Sequence, residues 1–243
     1  MLQATHHVRN INRMFSLAFS GCWFLMIAPI FLFRTSSALY AYEILTLGDS
    51  ITRGSIYVEG DGAGRQIGPT QGFLEEFLSD EGLPSRVYNW GISGETTFGG
   101  LNRINNVLNS RYADFILIME GANDLYEGIS SSTTTENIRA MISRSNAKNV
   151  TPIIGSITPN DRTAGFDSKI ANDYNPKIAQ MTKNENTRLA NQYEALIPNW
   201  AGTTYDGLHP DLKGHSIIAK TWFDSIIRRD IFLSPILLLL LDE

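Results

Sequence analysis

The chain has 243 residues, 20 Lys and Arg against 25 Asp and Glu, a formal net charge of −5 and 43% hydrophobic residues. That length suits one domain or little more, and that apolar content excludes intrinsic disorder. The acidic balance, with no basic stretch, excludes nucleic acid as the main partner, and one cysteine excludes an intrachain disulfide framework or a cysteine-based metal site.

Residues 14–33 (MFSLAFSGCWFLMIAPIFLF) form an uncharged apolar run, preceded by Arg9 and Arg13 and followed by Arg34-Thr35-Ser36-Ser37-Ala38. A basic flank, an apolar run and small residues describe an export signal covering 1–38, with Ser36 and Ala38 at the −3 and −1 positions of cleavage. Ala41 is a second cleavage candidate. The run also suffices, at about 30 Å as a helix, to remain as a membrane anchor. Either way the chain is expected to be exported, periplasmic or secreted, with a membrane as partner only if 14–33 is retained. Cys22 is a leader residue, because the run stays apolar beyond it where a lipoprotein turns polar. His6 and His7 precede the run without a ligand pattern. At the other end, 231–243 (IFLSPILLLLLDE) is too short to span a bilayer and is interrupted by Pro235. That leaves 42–230 as the working domain.

Within it, short apolar runs alternate with helix-period segments. The pattern predicts strands at 44–47, 86–88, 115–119, 152–157 and 196–197. Helices are predicted at 73–78, 101–108, 136–145, 176–193 and 217–227. The five apolar residues at 115–119 (FILIM) suit a central parallel strand covered on both faces. The Ser/Thr run 130–135 reads as a loop entering a helix. This alternation implies an α/β fold, a three-layer, doubly wound and mostly parallel five-stranded sheet. Ligands bind such sheets beyond the carboxyl ends of the strands, which directs attention to loops starting at 48, 89, 120, 158 and 198.

Those loops carry Gly48-Asp49-Ser50, Asn89-Trp90-Gly91-Ile92-Ser93-Gly94, Gly121-Ala122-Asn123-Asp124 and Asp206-Gly207-Leu208-His209-Pro210. Each alone reads as an ordinary turn; together, in this order, they supply the parts of an acyl-transfer site. A serine hydroxyl attacks well only when a base accepts its proton, and imidazole suits that task near neutral pH. An Asp three positions before the His can share its turn and fix the ring tautomer. Gly94 lets a backbone N–H approach a developing oxyanion, and Asn123 can add an amide N–H. The pattern calls for no metal and no organic cofactor. A Gly-x-Ser-x-Gly elbow is absent, because Gly91-Ile92-Ser93-Gly94 has the wrong spacing, so Ser93 reads as a turn residue. The stretch 60–68 (GDGAGRQIG) lacks a P-loop's Lys-Ser/Thr, and Glu59 and Asp61 lack EF-hand spacing.

Of the remaining polar residues, Asp49 and Asp124 read as braces of their loops, Glu120 as a buried brace whose carboxyl burial would raise, and His215 as a packed or surface histidine. Asn149 opens a glycosylation sequon, relevant only in a host that glycosylates exports. Trp90 and Tyr126 are candidates for the pocket wall, with core packing the alternative for Trp90.

From Leu47-Gly48-Asp49-Ser50 to His209-Pro210 the chain resembles the GDSL/SGNH hydrolase family of secreted esterases, thioesterases and lysophospholipases, with Ile51 where the eponymous leucine stands. The resemblance implies a flavodoxin-like fold. It implies Ser50 as nucleophile, His209 as general base and Asp206 as its orienter. The oxyanion hole would comprise the Ser50 and Gly94 N–H groups and the Asn123 side chain. The partner it implies is a small ester: a short-chain acyl ester or lysophospholipid, with acylated sugars and acyl thioesters as alternatives. A non-catalytic binding domain on the same fold is the rival class.

Overall fold

Five strands form the central sheet: β1 Glu43–Gly48, β2 Arg86–Gly91, β3 Phe115–Met119, β4 Thr151–Gly155 and β5 Arg188–Ala190. All neighbours pair in parallel, in the spatial order β2-β1-β3-β4-β5. This is the flavodoxin-like doubly wound order, with its switch point at β1 and β3. The computed structural model describes residues 41–54, 58–59 and 66–233, all within the unit Leu39–Glu243. The expected leader with Cys22, His6 and His7, the loop around Asp61 with the Glu59 side chain, and the tail beyond 233 lie outside the described residues.

The helices are α1 Ser50–Arg53, α2 Pro69–Asp80, α3 Thr97–Asn109, α4 Ala122–Tyr126 and α5 Ser131–Ala147. Then α6 Phe166–Lys169 runs through a π turn, Ile170–Tyr174, into α7 Asn175–Asn184. The last two are α8 Gln192–Leu196 and α9 Leu212–Leu233. Helix α2 packs on α9 and α3 on α5, so the sheet is covered on both sides. All five residues of β3 are buried, as an apolar run between two helical layers requires. Leu74 and Leu78 of α2, Ile104 of α3 and Ile138 and Met141 of α5 are fully buried. Each such side chain stabilises the fold by about 1.5–3 kcal/mol through loss of apolar surface from water. Thr46, polar in a central strand, is satisfied there: it donates to Tyr88 O and accepts from Gln71 Nε2.

One expected element pair is corrected. The pattern over 176–193 predicts one helix, with a last strand at 196–197; the structure ends α7 at Asn184, forms β5 at Arg188–Ala190 and makes Leu196 the end of α8. The break is local chemistry. Asn186 takes φ 49°, while Thr187 N–H donates to Thr182 O and Asn186 N–H to Lys183 O, closing the helix as a Schellman motif. The apolar residues Ile178, Met181, Leu189, Tyr193 and Leu196 stay in helical phase across that break, so periodicity alone conceals it. Strands β2 and β4 end at 91 and 155, so their loops begin at 92 and 156 rather than 89 and 158. The turn holding His209 follows a 3₁₀ segment, Ile197–Gly202, rather than a strand. Helix α9 runs from Leu212 to Leu233, longer at both ends than the expected 217–227.

His215 ties the two helices of one layer together. It is buried, on α9, with Nδ1 2.8 Å from Thr70 Oγ1 on α2. Burial pushes its pKa from 6.5 down to about 4, Asp211 opposing and His209 adding to the effect. The native state therefore holds the ring neutral while the unfolded chain takes up a proton near 6.5. The stability this contributes is intact above pH 6.5 and is lost as pH falls toward 4. Melting temperatures measured from pH 7 to 4 are expected to fall less steeply for His215→Gln than for the wild type; parallel curves would refute the assignment.

Candidate active site

Sheet register brings the first three loops together. Gly48 lies opposite Gly91 on one side and Met119 on the other, so Asp49, Ile92 and Glu120 leave the sheet at one level. Gly48 is required by the close approach: a Cβ there would stand 2.5 Å from Met119 O and closer still to the Thr52 hydroxyl. Asp49 then caps α1, its Oδ1 accepting Ile51 N–H at 2.8 Å, and Ser50 follows as the first residue of the helix. The N–H of that first residue has no intrahelical acceptor.

The turn before α9 delivers the histidine. Thr204 Oγ1 donates to His209 O at 2.7 Å, and Thr204 pairs with Pro210 across the turn. Asp206 works with both oxygens. Oδ1 accepts the backbone N–H of His209 at 2.7 Å and of Leu208 at 3.0 Å, while Oδ2 lies 2.9 Å from His209 Nδ1. On the other edge of the ring, Nε2 is 3.0 Å from Ser50 Oγ. Ser50, His209 and Asp206 thus form one continuous hydrogen-bonded chain, although 159 residues separate the serine from the histidine. The imidazole and carboxylate side chains are 23% and 29% exposed, reachable yet shielded. Burial alone would raise the Asp206 pKa; the bonds from His209 and Leu208 override it and hold the carboxyl below its usual value.

Gly94 and Asn123 stand on the loops beyond β2 and β3. Ile92–Glu95 is a β-turn closed by Glu95 N–H to Ile92 O at 3.2 Å, with Gly94 at φ 77° in its third position. That is the type II position, which glycine occupies without steric cost. The Gly94 N–H is outside the turn's own bond and points to no acceptor among the described residues. Asn123 Nδ2 donates to Glu95 O at 2.8 Å and makes a longer 3.3 Å contact with Asp49 Oδ2. Burial pushes Asp49 up to about 6, against its bond from Ile51 and the attraction of His209. Asp124 braces the loop as expected: wholly buried, it accepts from Thr97 N, Thr97 Oγ1 and Thr134 Oγ1. Ser93 is a turn residue whose hydroxyl accepts from Arg53 Nη1. Trp90 packs against the core rather than standing free, while Tyr126 is exposed.

Two neighbours of the histidine turn were not foreseeable from motifs. Arg162 Nη1 lies 3.2 Å from Asp206 Oδ2, and the N–H groups of Asp161 and Arg162 both donate to Gly207 O. The Tyr205 ring stacks on the imidazole at 5.8 Å between centroids. Tyr205 adjoins Asp206 in sequence, a proximity available to a reader who had placed the turn; Arg162 comes from a different loop and left no sequence signal.

Residues 46–217 match the model of the GDSL-like lipase/acylhydrolase family. The chain is 29% identical to an arylesterase of Vibrio mimicus over 201 residues, covering 80% of this chain and 94% of that protein. It is 27% identical to esterase TesA of Pseudomonas aeruginosa over 213 residues, covering 85% and 96%. Its fold is similar to that of an acetylxylan esterase from Geobacillus stearothermophilus, with TM-score 0.66, 20% identity, and 77% and 95% of the two chains covered. It is also similar to a member of the lipolytic G-D-S-L family from Veillonella parvula, with TM-score 0.61, 22% identity, and 76% and 98% covered. With the family model spanning every loop that builds the hydrogen-bonded chain from Ser50 to Asp206, the protein belongs to the GDSL-like lipase/acylhydrolase family and is a carboxylic ester hydrolase.

Proposed function

We propose that the protein hydrolyses short-chain and aryl carboxylic esters through an acyl-enzyme on Ser50. The observation that carries this reading is the unbroken chain Ser50 Oγ, His209 Nε2, His209 Nδ1, Asp206 Oδ2, at 3.0 and 2.9 Å. Ser50 attacks the ester carbonyl while His209 Nε2 takes the hydroxyl proton. Asp206 keeps the ring's Nδ1 protonated and stabilises the imidazolium formed during attack. Negative charge grows on the carbonyl oxygen, where the N–H groups of Ser50 and Gly94 are the backbone donors. Asn123 adds the N–H now in its long contact with Asp49, its other N–H being held by Glu95 O. The imidazolium returns its proton to the leaving alcohol, and water, activated by the same ring, then releases the acid.

The site's surroundings support a small apolar substrate. Ile92, Phe98, Tyr126 and Tyr205 are exposed apolar side chains on or beside the loops that carry Gly94, Asn123 and His209. Exposed apolar side chains gathered about a polar centre favour an aryl or acyl group. The two curated relatives are named as an arylesterase and an esterase.

A fluorophosphonate probe tests the chemistry: the wild type is expected to label covalently and Ser50→Ala not at all. Labelling of Ser50→Ala at the wild-type level would overturn the assignment of Ser50, and a wild type that fails to label would leave the non-catalytic binding domain standing. A panel of nitrophenyl esters of increasing acyl length, with acetylated glycans, a lysophospholipid and an acyl thioester beside it, tests the substrate. The highest kcat/KM is expected among the short aryl esters; a higher value on any other member would reassign the substrate class.

A further inference from the structure

Beneath the Gly94 turn lies a buried cluster of ionisable side chains that the hydrolytic steps do not use. Glu120, the first residue after β3, is 1% exposed. The Glu95 carboxylate is forked by Arg103 of α3: Nε lies 2.7 Å from Oε1 and 3.0 Å from Oε2, and Nη2 also donates to Oε2. The same Nη2 donates to Trp90 O at 2.6 Å and reaches Gly48 O at 3.4 Å, so Arg103 fastens the turn to the ends of β2 and β1. Neither carboxyl oxygen of Glu120 receives a hydrogen bond from an N–H or hydroxyl donor among the described residues. The Glu95 carboxyl is in hydrogen-bonding position to Glu120. Two carboxyls share a hydrogen bond only when one of them carries a proton. Arg103 gives its Nε and Nη2 to Glu95 and no hydrogen bond to Glu120, which leaves Glu120 as the proton carrier.

We propose that Glu120 is a neutral carboxylic acid that donates its proton to Glu95, and that with Arg103 it is the positioning residue for the Gly94 and Asn123 donors. This rests on the esterase reading above. The geometry closes a ring between two loops. The Glu120 side chain reaches across from the β3–α4 loop to the Glu95 side chain, and Asn123 Nδ2 of that same loop returns to Glu95 O at 2.8 Å. Gly94 is the residue before Glu95, and Asn123 follows Glu120 by three positions. Holding Glu95 therefore fixes both donors relative to Ser50, where small misplacements are costly in rate.

The surroundings agree with a neutral acid. Burial raises the Glu120 carboxyl well above its usual range, Asp49 and Glu95 add to the effect, and Arg103 opposes it. A Cβ on Gly100 of α3 would stand 2.9 Å from Glu120 Oε1 and 3.4 Å from Met141 Sδ of α5, so the cluster is tightly enclosed.

The test compares Glu120→Ala with Glu120→Gln, using a short nitrophenyl ester, fluorophosphonate labelling rates and thermal melts. Alanine removes the donor: kcat is expected to fall about 10–100-fold with KM changed less than about twofold. Labelling is expected to slow in parallel, because the phosphonyl oxygen uses the same N–H donors. Glutamine supplies an uncharged N–H of similar shape and is expected to restore most of the lost rate.

The melts read the proton itself. Because the native pKa is raised, the associated stability is complete below the unfolded value near 4.5 and is lost as pH climbs toward the native value. From pH 5 to 9 the wild type is therefore expected to lose melting temperature that Glu120→Gln retains. A folded Glu120→Ala enzyme with wild-type kcat would overturn the proposal. So would a glutamine variant as slow as alanine, or wild-type and glutamine melting curves that run parallel in pH. If alanine fails to fold, the glutamine rate and its pH-dependent melts decide. Failure of the esterase reading shows separately, as a wild type that neither labels nor turns over the ester, or as persistent labelling of Ser50→Ala.

Discussion

Ser50→Ala and His209→Ala are each expected to lower kcat by about 10⁶, and the double variant by no more than either alone. The reason is the 3.0 Å contact between Ser50 Oγ and His209 Nε2. The hydroxyl is a nucleophile only while the imidazole takes its proton, so removing one partner removes the work of both. Independent contributions would multiply toward about 10¹² in the double variant, which no residual assay would detect. What survives is catalysis by the N–H donors and by substrate binding, about 10³–10⁴ over water. The measurement is kcat on a short nitrophenyl ester, with enzyme concentration set by total folded protein, since neither variant can be titrated covalently. The two side chains differ in what else they hold. His209 carries the stack with Tyr205, so His209→Ala is expected to melt lower than Ser50→Ala. A loss of only tenfold in Ser50→Ala would place the chemistry on another residue.

The fold was legible where sequence pattern and burial coincide. The FILIM run of β3 is buried at every position, and the loops at Ser50 and Asn123 leave the sheet where the doubly wound order predicts. The order itself, β2-β1-β3-β4-β5, is set by long-range pairing that no local pattern carries; the family resemblance supplied it. Helix α7 and strand β5 show the limit of periodicity. Their apolar residues keep one helical phase, and the break depends on Asn186 adopting a left-handed backbone, which a neutral-looking Asn does not announce.

The site divides in the same way. Ser50, Asp206 and His209 meet because each sits in a turn with its own local logic: an Asp49 cap for the serine, and an Asp206 side chain that both builds the turn and reaches the ring. Those short-range features are written in GDS and DGLHP. The ion pair of Arg162 with Asp206, and the meeting of Glu95, Arg103 and Glu120, join residues from different loops and helices. Buried charge and loop-to-loop contact are consequences of tertiary packing, and the one-dimensional pattern holds no spacing that marks them.

Asp206→Asn is expected to lower kcat by about 10⁴ while leaving the turn and KM nearly unchanged. The two oxygens of Asp206 divide the labour, so the substitution separates them. An asparagine carbonyl in the place of Oδ1 still accepts the N–H groups of Leu208 and His209, now at 3.0 and 2.7 Å, and the turn keeps its form. In the place of Oδ2 stands an NH₂ group, 2.9 Å from Nδ1. It cannot accept the Nδ1–H that the productive tautomer presents, so the ring moves its proton to Nε2. That nitrogen then faces Ser50 with a hydrogen instead of a lone pair, and the general base is lost. Arg162 also loses a charged partner, but its side chain is 52% exposed and the pair is a minor contributor to stability. Asp206→Ala makes the contrast, because it strips the acceptor from both backbone N–H groups and is expected to cost about 1–3 kcal/mol of stability as well. Urea unfolding alongside kcat reads both effects. The expected pattern is a large kinetic loss in both variants and a stability loss chiefly in alanine. An asparagine variant within tenfold of wild-type kcat would remove Asp206 from the catalytic chain and leave it the turn alone.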